Sequence, residues 1–272
     1  MSALDDLLGV MARLRDPAAG CPWDREQTFA SIVPHTLEEA YEVADAMERG
    51  DRADMQDELG DLLFQVVFYA RIAEEEGSFD FEAIAAGVRD KLIRRHPHVF
   101  GDAGPTTRDG QRAVWEAIKA EERAARPGGG ETSAPPGALD DVPLALPALT
   151  RARKLQSRAA RVGFDWPDSH QVIGKIQEEL GELEEAMNHQ PNDPEHVAEE
   201  MGDVLLACVN LARRLGVDPE QALRAGNAKF ERRFRGLEAI LQAVGETPET
   251  VDFDRLEAAY QQAKALDART QN

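Results

Sequence analysis

Residues 57–67 read DELGDLLFQVV, and residues 199–209 read EEMGDVLLACV. The echo is not isolated. The run LEEAYE at 37–42 is answered by the stretch that holds Glu178, Glu179 and Glu182, and KLIRR at 91–95 by KFERR at 229–233. The offsets between partners are 140, 142 and 138 residues, so only short loop insertions and deletions separate two copies of one plan. A chain of 272 residues built this way is expected to fold as two similar domains.

The plan is helical. Aromatic residues make up only 6% of the chain, and no series of alternating β-branched segments is bounded by hairpin turns. Apolar residues recur instead at three and four, as in Leu4, Leu7, Leu8, Met11 and Leu14. Leu59, Leu62, Leu63, Val66, Val67 and Tyr69 mark a longer and more deeply buried helix. The sharpest break is RPGGGETSAPPGALDD, where three consecutive glycines and the Pro135-Pro136 pair cannot sustain a helix. The expected fold is therefore all-α, with tandem helical bundles at 1–126 and 142–272 joined by a Gly/Pro-rich linker at 127–141.

A net charge of −20 argues against broad contact with a nucleic-acid backbone, which needs a basic surface. It leaves room for a nucleotide met through divalent cations, which reverse the sign locally. No apolar run approaches the ~18 residues of a membrane span, and the acidic N-terminus lacks a signal-peptide pattern. Cys21 and Cys208 are far apart and read as two reduced thiols. The expected setting is the cytoplasm, without membrane or nucleic-acid partners.

The acids repeat at helical spacing. Glu39 and Glu42 share one helix face, as do Glu179 and Glu182; Glu58 with Asp61, and Glu200 with Asp203, share another. Two facing helices would bring four carboxylates together, a device by which bundles build metal sites. Glutamates at this spacing also make ordinary solvated faces. The second helix favours the site reading, because LLFQVVFYA follows Asp61 and VLLACVNLA follows Asp203, both apolar nearly all round. A carboxylate among buried groups needs a cation, and neither acidic motif contains a basic residue. All-oxygen ligation suits Mg²⁺, with Mn²⁺ as a substitute, and the lack of paired His or Cys argues against structural zinc.

Basic residues also recur. Lys91, Arg94 and Arg95 match Lys229, Arg232 and Arg233, and such spacing lets them reach one phosphate chain, with Arg binding in a fork. An ordinary basic helix end would look the same. Trp115 with Lys119 answers Tyr260 with Lys264, a pattern suited to stacking a base and holding a phosphate, or to a core aromatic beside a surface lysine. Spacing alone favours the core aromatic. His96 and His98 flank Pro97 and read as loop histidines, while Trp23 and Trp166 pack the loop that leads into each domain or border a pocket.

Together CPWDREQTF, LEEAYEV, ELGDLLFQVVFYA, RRHPHVFG, GFDW, EEMGD and KFERRFR resemble the bacterial tandem-domain MazG family over nearly the whole chain, apart from a longer linker. The resemblance implies a homodimer and Mg²⁺-dependent cleavage of nucleoside triphosphates to monophosphate and pyrophosphate, with broad base tolerance. It implies metal ligation by Glu179, Glu182, Glu200 and Asp203, and by Glu39, Glu42, Glu58 and Asp61. Glu178 and Glu38 become candidates for activating water. Lys175, one turn before Glu178, stands where a phosphate contact is expected, whereas the aligned residue of the first copy is His35. The second copy is thus expected to be the working one, although it has Tyr260 where the family tends to have Trp. Rival expectations are a base-selective all-α pyrophosphohydrolase, acting on dUTP or phosphoribosyl-ATP, and a metal-stabilised nucleotide-sensing dimer without turnover.

Overall fold

The computed structural model describes residues 2–101, 107, 110–111, 114–115, 117–118, 122, 137–189 and 193–270. Every regular element among them is a helix. The chain divides into two compact units, 1–130 and 131–272, and the division falls inside the stretch 127–141.

In the first unit α1 (Ala3–Leu14), α2 (Pro22–Glu26), α3 (Phe29–Arg49), α4 (Arg52–Glu75), α5 (Phe81–Arg95) and α6 (Pro97–Phe100) follow one another. Local chemistry sets the ends. Ser2 and Asp5 form a capping box on α1, and Thr28 with Ser31 forms another on α3. Gly50 closes α3 at φ 75°, a left-handed conformation that costs glycine little, and the Asp51 carboxylate at once accepts the N–H groups of Ala53 and Asp54 to open α4. So short a connection folds α3 and α4 into an antiparallel hairpin. Its core joins Met11, Ile32, Val67, Phe68 and Ile72, with Phe29, Phe64 and Phe81 packed against them. Arg15 is buried beside this core; its guanidinium lies 5.4 Å from the Phe68 ring centre and pairs with Glu75 at 2.7 Å.

The second unit runs through α7 (Ala148–Arg161), α8 (Ser169–Asn188), α9 (Pro194–Arg214), α10 (Pro219–Gln242), a 3₁₀ turn (Pro248–Thr250) and α11 (Phe253–Thr270). Asp168, Asp193 and Asp218 cap α8, α9 and α10 through their carboxylates. Helices α8 and α9 pack as the counterpart of α3 and α4. Leu237, Leu241 and Ala259 form the core between α10 and α11. Each hairpin leaves apolar residues in the open: Val33, Leu37, Leu59 and Leu63 in the first unit, and Ile173, Leu180, Met187, Met201 and Leu205 in the second.

Candidate active site

The α8–α9 pairing places Glu179, Glu182 and Glu200 so that one oxygen of each lies within 4.8 Å of the others. In the first unit Glu39 on α3 and Glu58 and Asp61 on α4 meet in the same way. Six of the eight carboxylates singled out in the sequence thus converge in two sets of three. Glu42 stands outside the first set but repels Glu39 and Glu58. Asp203 stands outside the second, one turn beyond Glu200, where it lines a cavity.

The electrostatics are those of crowded like charges. Burial, then Asp61 and Glu42, raises Glu39 above the usual carboxylate range; burial, then Glu42 and Asp61, does the same to Glu58. In the second unit a hydrogen bond with Glu179 raises Glu182, while the Lys175 ammonium beside Glu179 lowers Glu179. Lys175 Nζ lies 2.7 Å from Glu178 Oε1 and 2.8 Å from Glu179 Oε1. Glu179 is itself buried. The counterpart of Lys175 in the first unit, His35, sits 3.9 Å from Glu38 and edge-on to Trp23. A buried carboxylate sharing a hydrogen bond with a second one, in a group of three carboxylates, fits a hard divalent cation.

The arginines of the basic clusters pair with carboxylates. Arg232 and Arg233 both donate to Asp267 of α11, at 2.6 Å and 3.0 Å, and Arg94 and Arg95 both donate to Glu122. Each Arg pair therefore clamps a carboxylate 27 to 35 residues further along the chain. Lys229 and Lys264 are exposed, and Lys91 is half-buried. Tyr260 packs against the Leu237–Leu241–Ala259 core and beside Phe230, the core-aromatic arrangement that its spacing favours. Trp115 is exposed, and Lys119 lies outside the described residues.

A cavity of about 500 Å³ opens beside the second acid set. Lys175, Glu179 and Asp203 form one side, and Gln156, Phe164, Trp166, Leu206, Ala207 and Asn210 form much of the rest. Arg213 and Arg214 hold its rim by pairing with Asp165, and Arg214 also donates to the Pro167 carbonyl at 2.8 Å. Burial alone would raise Asp165, but these contacts, Arg213's first, outweigh it and hold the carboxyl below its usual range. Trp166 borders the cavity, one of the two positions the sequence left open for it. Gln156 and Asn210 went unnoticed in the sequence, since neither belongs to a charged motif and α7 carries no acid.

Two helical units, each with a carboxylate cluster across an antiparallel hairpin, define an all-α protein with a candidate metal site in each unit. Comparison with known proteins narrows this. The profile of the MazG nucleotide pyrophosphohydrolase domain matches residues 27–100 and 168–236, which contain both acid sets. The chain is 52% identical over 264 residues to the nucleoside triphosphate pyrophosphohydrolase of Escherichia coli K12, covering 97% of this chain and 98% of that protein. It is 43% identical to the nucleoside triphosphate pyrophosphohydrolase/pyrophosphatase MazG of Thermotoga maritima, over 97% of this chain and 96% of the relative. A nucleoside triphosphate pyrophosphohydrolase of Mycobacterium tuberculosis is 39% identical over 59% of this chain and 46% of its own length. The chain belongs to the MazG family.

Proposed function

We propose that this chain hydrolyses nucleoside triphosphates to monophosphate and pyrophosphate at the second unit, as a magnesium-dependent cytoplasmic homodimer of broad base tolerance. The observation that carries this is the meeting of Glu179, Glu182 and Glu200 with Lys175 at the mouth of a cavity of nucleoside size. The names of the relatives support the same substrate class.

In this reading Glu179, Glu182, Glu200 and Asp203 hold the cation. Once bound, it supplies polarisation of the phosphate oxygens and acidification of nearby water. Glu178, next to the ligand set but outside it, takes the proton of the attacking water on a carboxylate oxygen. The water oxygen bonds to the α-phosphorus as the bond to the bridging oxygen breaks, releasing pyrophosphate. Lys175, which pairs with Glu178 and Glu179, would turn its charge to the phosphates were a cation held at Glu179. Lys229, exposed on α10, adds charge, while Arg232 and Arg233 keep that helix against α11 and contribute field. The first unit has matching acids but His35 in place of Lys175, so we assign it cation binding without turnover.

Product analysis with ATP, GTP, CTP and UTP in Mg²⁺ tests this directly. Monophosphate plus pyrophosphate is expected; diphosphate plus phosphate, or no cleavage, overturns it. Glu179→Ala is expected to cut turnover by more than about 100-fold, beyond the usual loss from an outer-sphere partner. Glu39→Ala is expected to leave turnover near that of the parent, and the reverse pattern would move the active site to the first unit.

A further inference from the structure

Three positions that line the cavity of the second unit have counterparts in the first, where rings fill the space. At offsets of 143, 140 and 142 residues, Trp166, Lys175 and Asn210 correspond to Trp23, His35 and Phe68. The Trp23 ring meets His35 edge-on with centres 5.9 Å apart, and meets Phe68 edge-on at 6.4 Å. Phe64 packs edge-on to Phe68 at 5.8 Å, and the Arg15 guanidinium stands 5.4 Å from the Phe68 ring centre. Phe68 is wholly buried, so its ring takes up the place that the shorter Asn210 leaves open in the other copy.

The segment leading into each hairpin is also held differently. Arg15 donates to the carbonyls of Asp24 and Gln27 and pairs with Glu75 at 2.7 Å, which ties α2, and Trp23 with it, to the end of α4. In the second unit Arg213 and Arg214 pair instead with Asp165, and so hold the segment before α8 to α9. That clamp does not recur. Pro22 takes the place of Asp165, and Arg71, the counterpart of Arg213, pairs with Glu74 and Glu75. Opening the first unit would expose a buried ring and break the contacts of a buried guanidinium, so the closed arrangement is the stable one.

We infer that Phe68, backed by Trp23 and Arg15, is the residue that bars nucleotides from the first unit. The inference rests on the proposed cleavage of nucleoside triphosphates at the second unit. It goes beyond the exchange of Lys175 for His35, because the two differences act in different ways. Losing one charged contact to phosphate weakens binding by about 10- to 100-fold, which more ligand overcomes. A space already packed with a ring refuses the nucleoside at any concentration that leaves the core intact. Glu39, Glu58 and Asp61 still converge beside this closed space, so the bar falls on the nucleotide and not on a cation.

Calorimetric titration with the non-cleavable analogue α,β-methylene-ATP in Mg²⁺ counts the sites. The parent is expected to take one analogue per chain, and Glu179→Ala to lose it. The triple variant His35→Lys, Gln65→Ala, Phe68→Asn copies the second unit at three positions and is expected to take a second analogue. His35→Lys alone is expected to leave the count at one. Far-UV circular dichroism and a cooperative melt establish that each variant is folded. Should the triple variant not fold, Phe68→Leu in the His35→Lys background keeps the core apolar and is expected to show the second site at lower affinity. Two analogues on the parent, a site of parent affinity surviving Glu179→Ala, or a second site opened by His35→Lys alone would overturn the inference. So would a folded Phe68 variant that still takes only one. A parent that binds no analogue marks failure of the cleavage reading instead.

Discussion

Glu179 is pulled in two directions: Lys175, and after it the hydrogen bond with Glu182, favour its ionised form, while burial favours the protonated one. On the proposal that Glu179 holds the cation, a lysine paired with it in the free chain competes with the cation for it. Lys175→Gln is therefore expected to leave Mn²⁺ affinity undiminished in a calorimetric titration while raising KM for ATP. A fall in Mn²⁺ affinity would show instead that Lys175 organises the ligands. Glu122 tells a simpler story. The hydrogen bonds of Arg95 and Arg94 pull its carboxyl down from 4.5 to about 2. A folded-state value below the unfolded one stabilises fully above about 4.5, and that contribution drains away as pH falls toward 2. Glu122→Gln should flatten the acid limb of the melting-temperature profile in this window, and an unchanged limb would remove the clamp from the list of stabilising contacts.

At the scale of the helix, Gly60 and Gly202 pose a question that composition cannot. Both lie inside helices, between the two acids of their motif, and a Cβ at either position would meet nothing within 4 Å. Glycine inside a helix costs about 0.5–1 kcal/mol relative to alanine. Gly202→Ala is expected to stabilise the free protein by about that amount in urea denaturation. A destabilised variant would mean that the backbone there is tighter than the open space around it indicates. The paired arginines teach a related lesson. As a motif they suit phosphate, but each pair meets a carboxylate brought in by a later helix.

For the whole molecule, the exposed stripe matters most. Ile173, Leu180 and Met187 recur every seven residues on α8, and Met201 and Leu205 lie on its partner α9. An apolar face of this kind on both helices of a hairpin is suited to a second copy, which would complete a four-helix bundle. Light scattering is expected to give twice the 29.9 kDa chain mass for the parent. The double variant Leu180→Glu, Leu205→Glu is expected to give the single mass, and a parent that already runs as one chain would refute the pairing. The loop at the cavity rim depends on the whole second unit as well, since Asp165 is held from α9 almost fifty residues away.

The sequence by itself determined the helical class, the duplication and the carboxylates that converge, because helix period and i, i+3 spacing are local and a repeat needs no coordinates to be seen. It also marked the difference between Lys175 and His35. Tertiary structure decided the rest. Asp267 lies 34 and 35 residues from the arginines it binds, and Glu75 lies 60 from Arg15, so no window along the chain contains both partners. The cavity was hidden for the same reason. Ala207 and Asn210 read as two more residues of a buried helix, and only the packing of α7 against α9 sets them on the wall of a cavity.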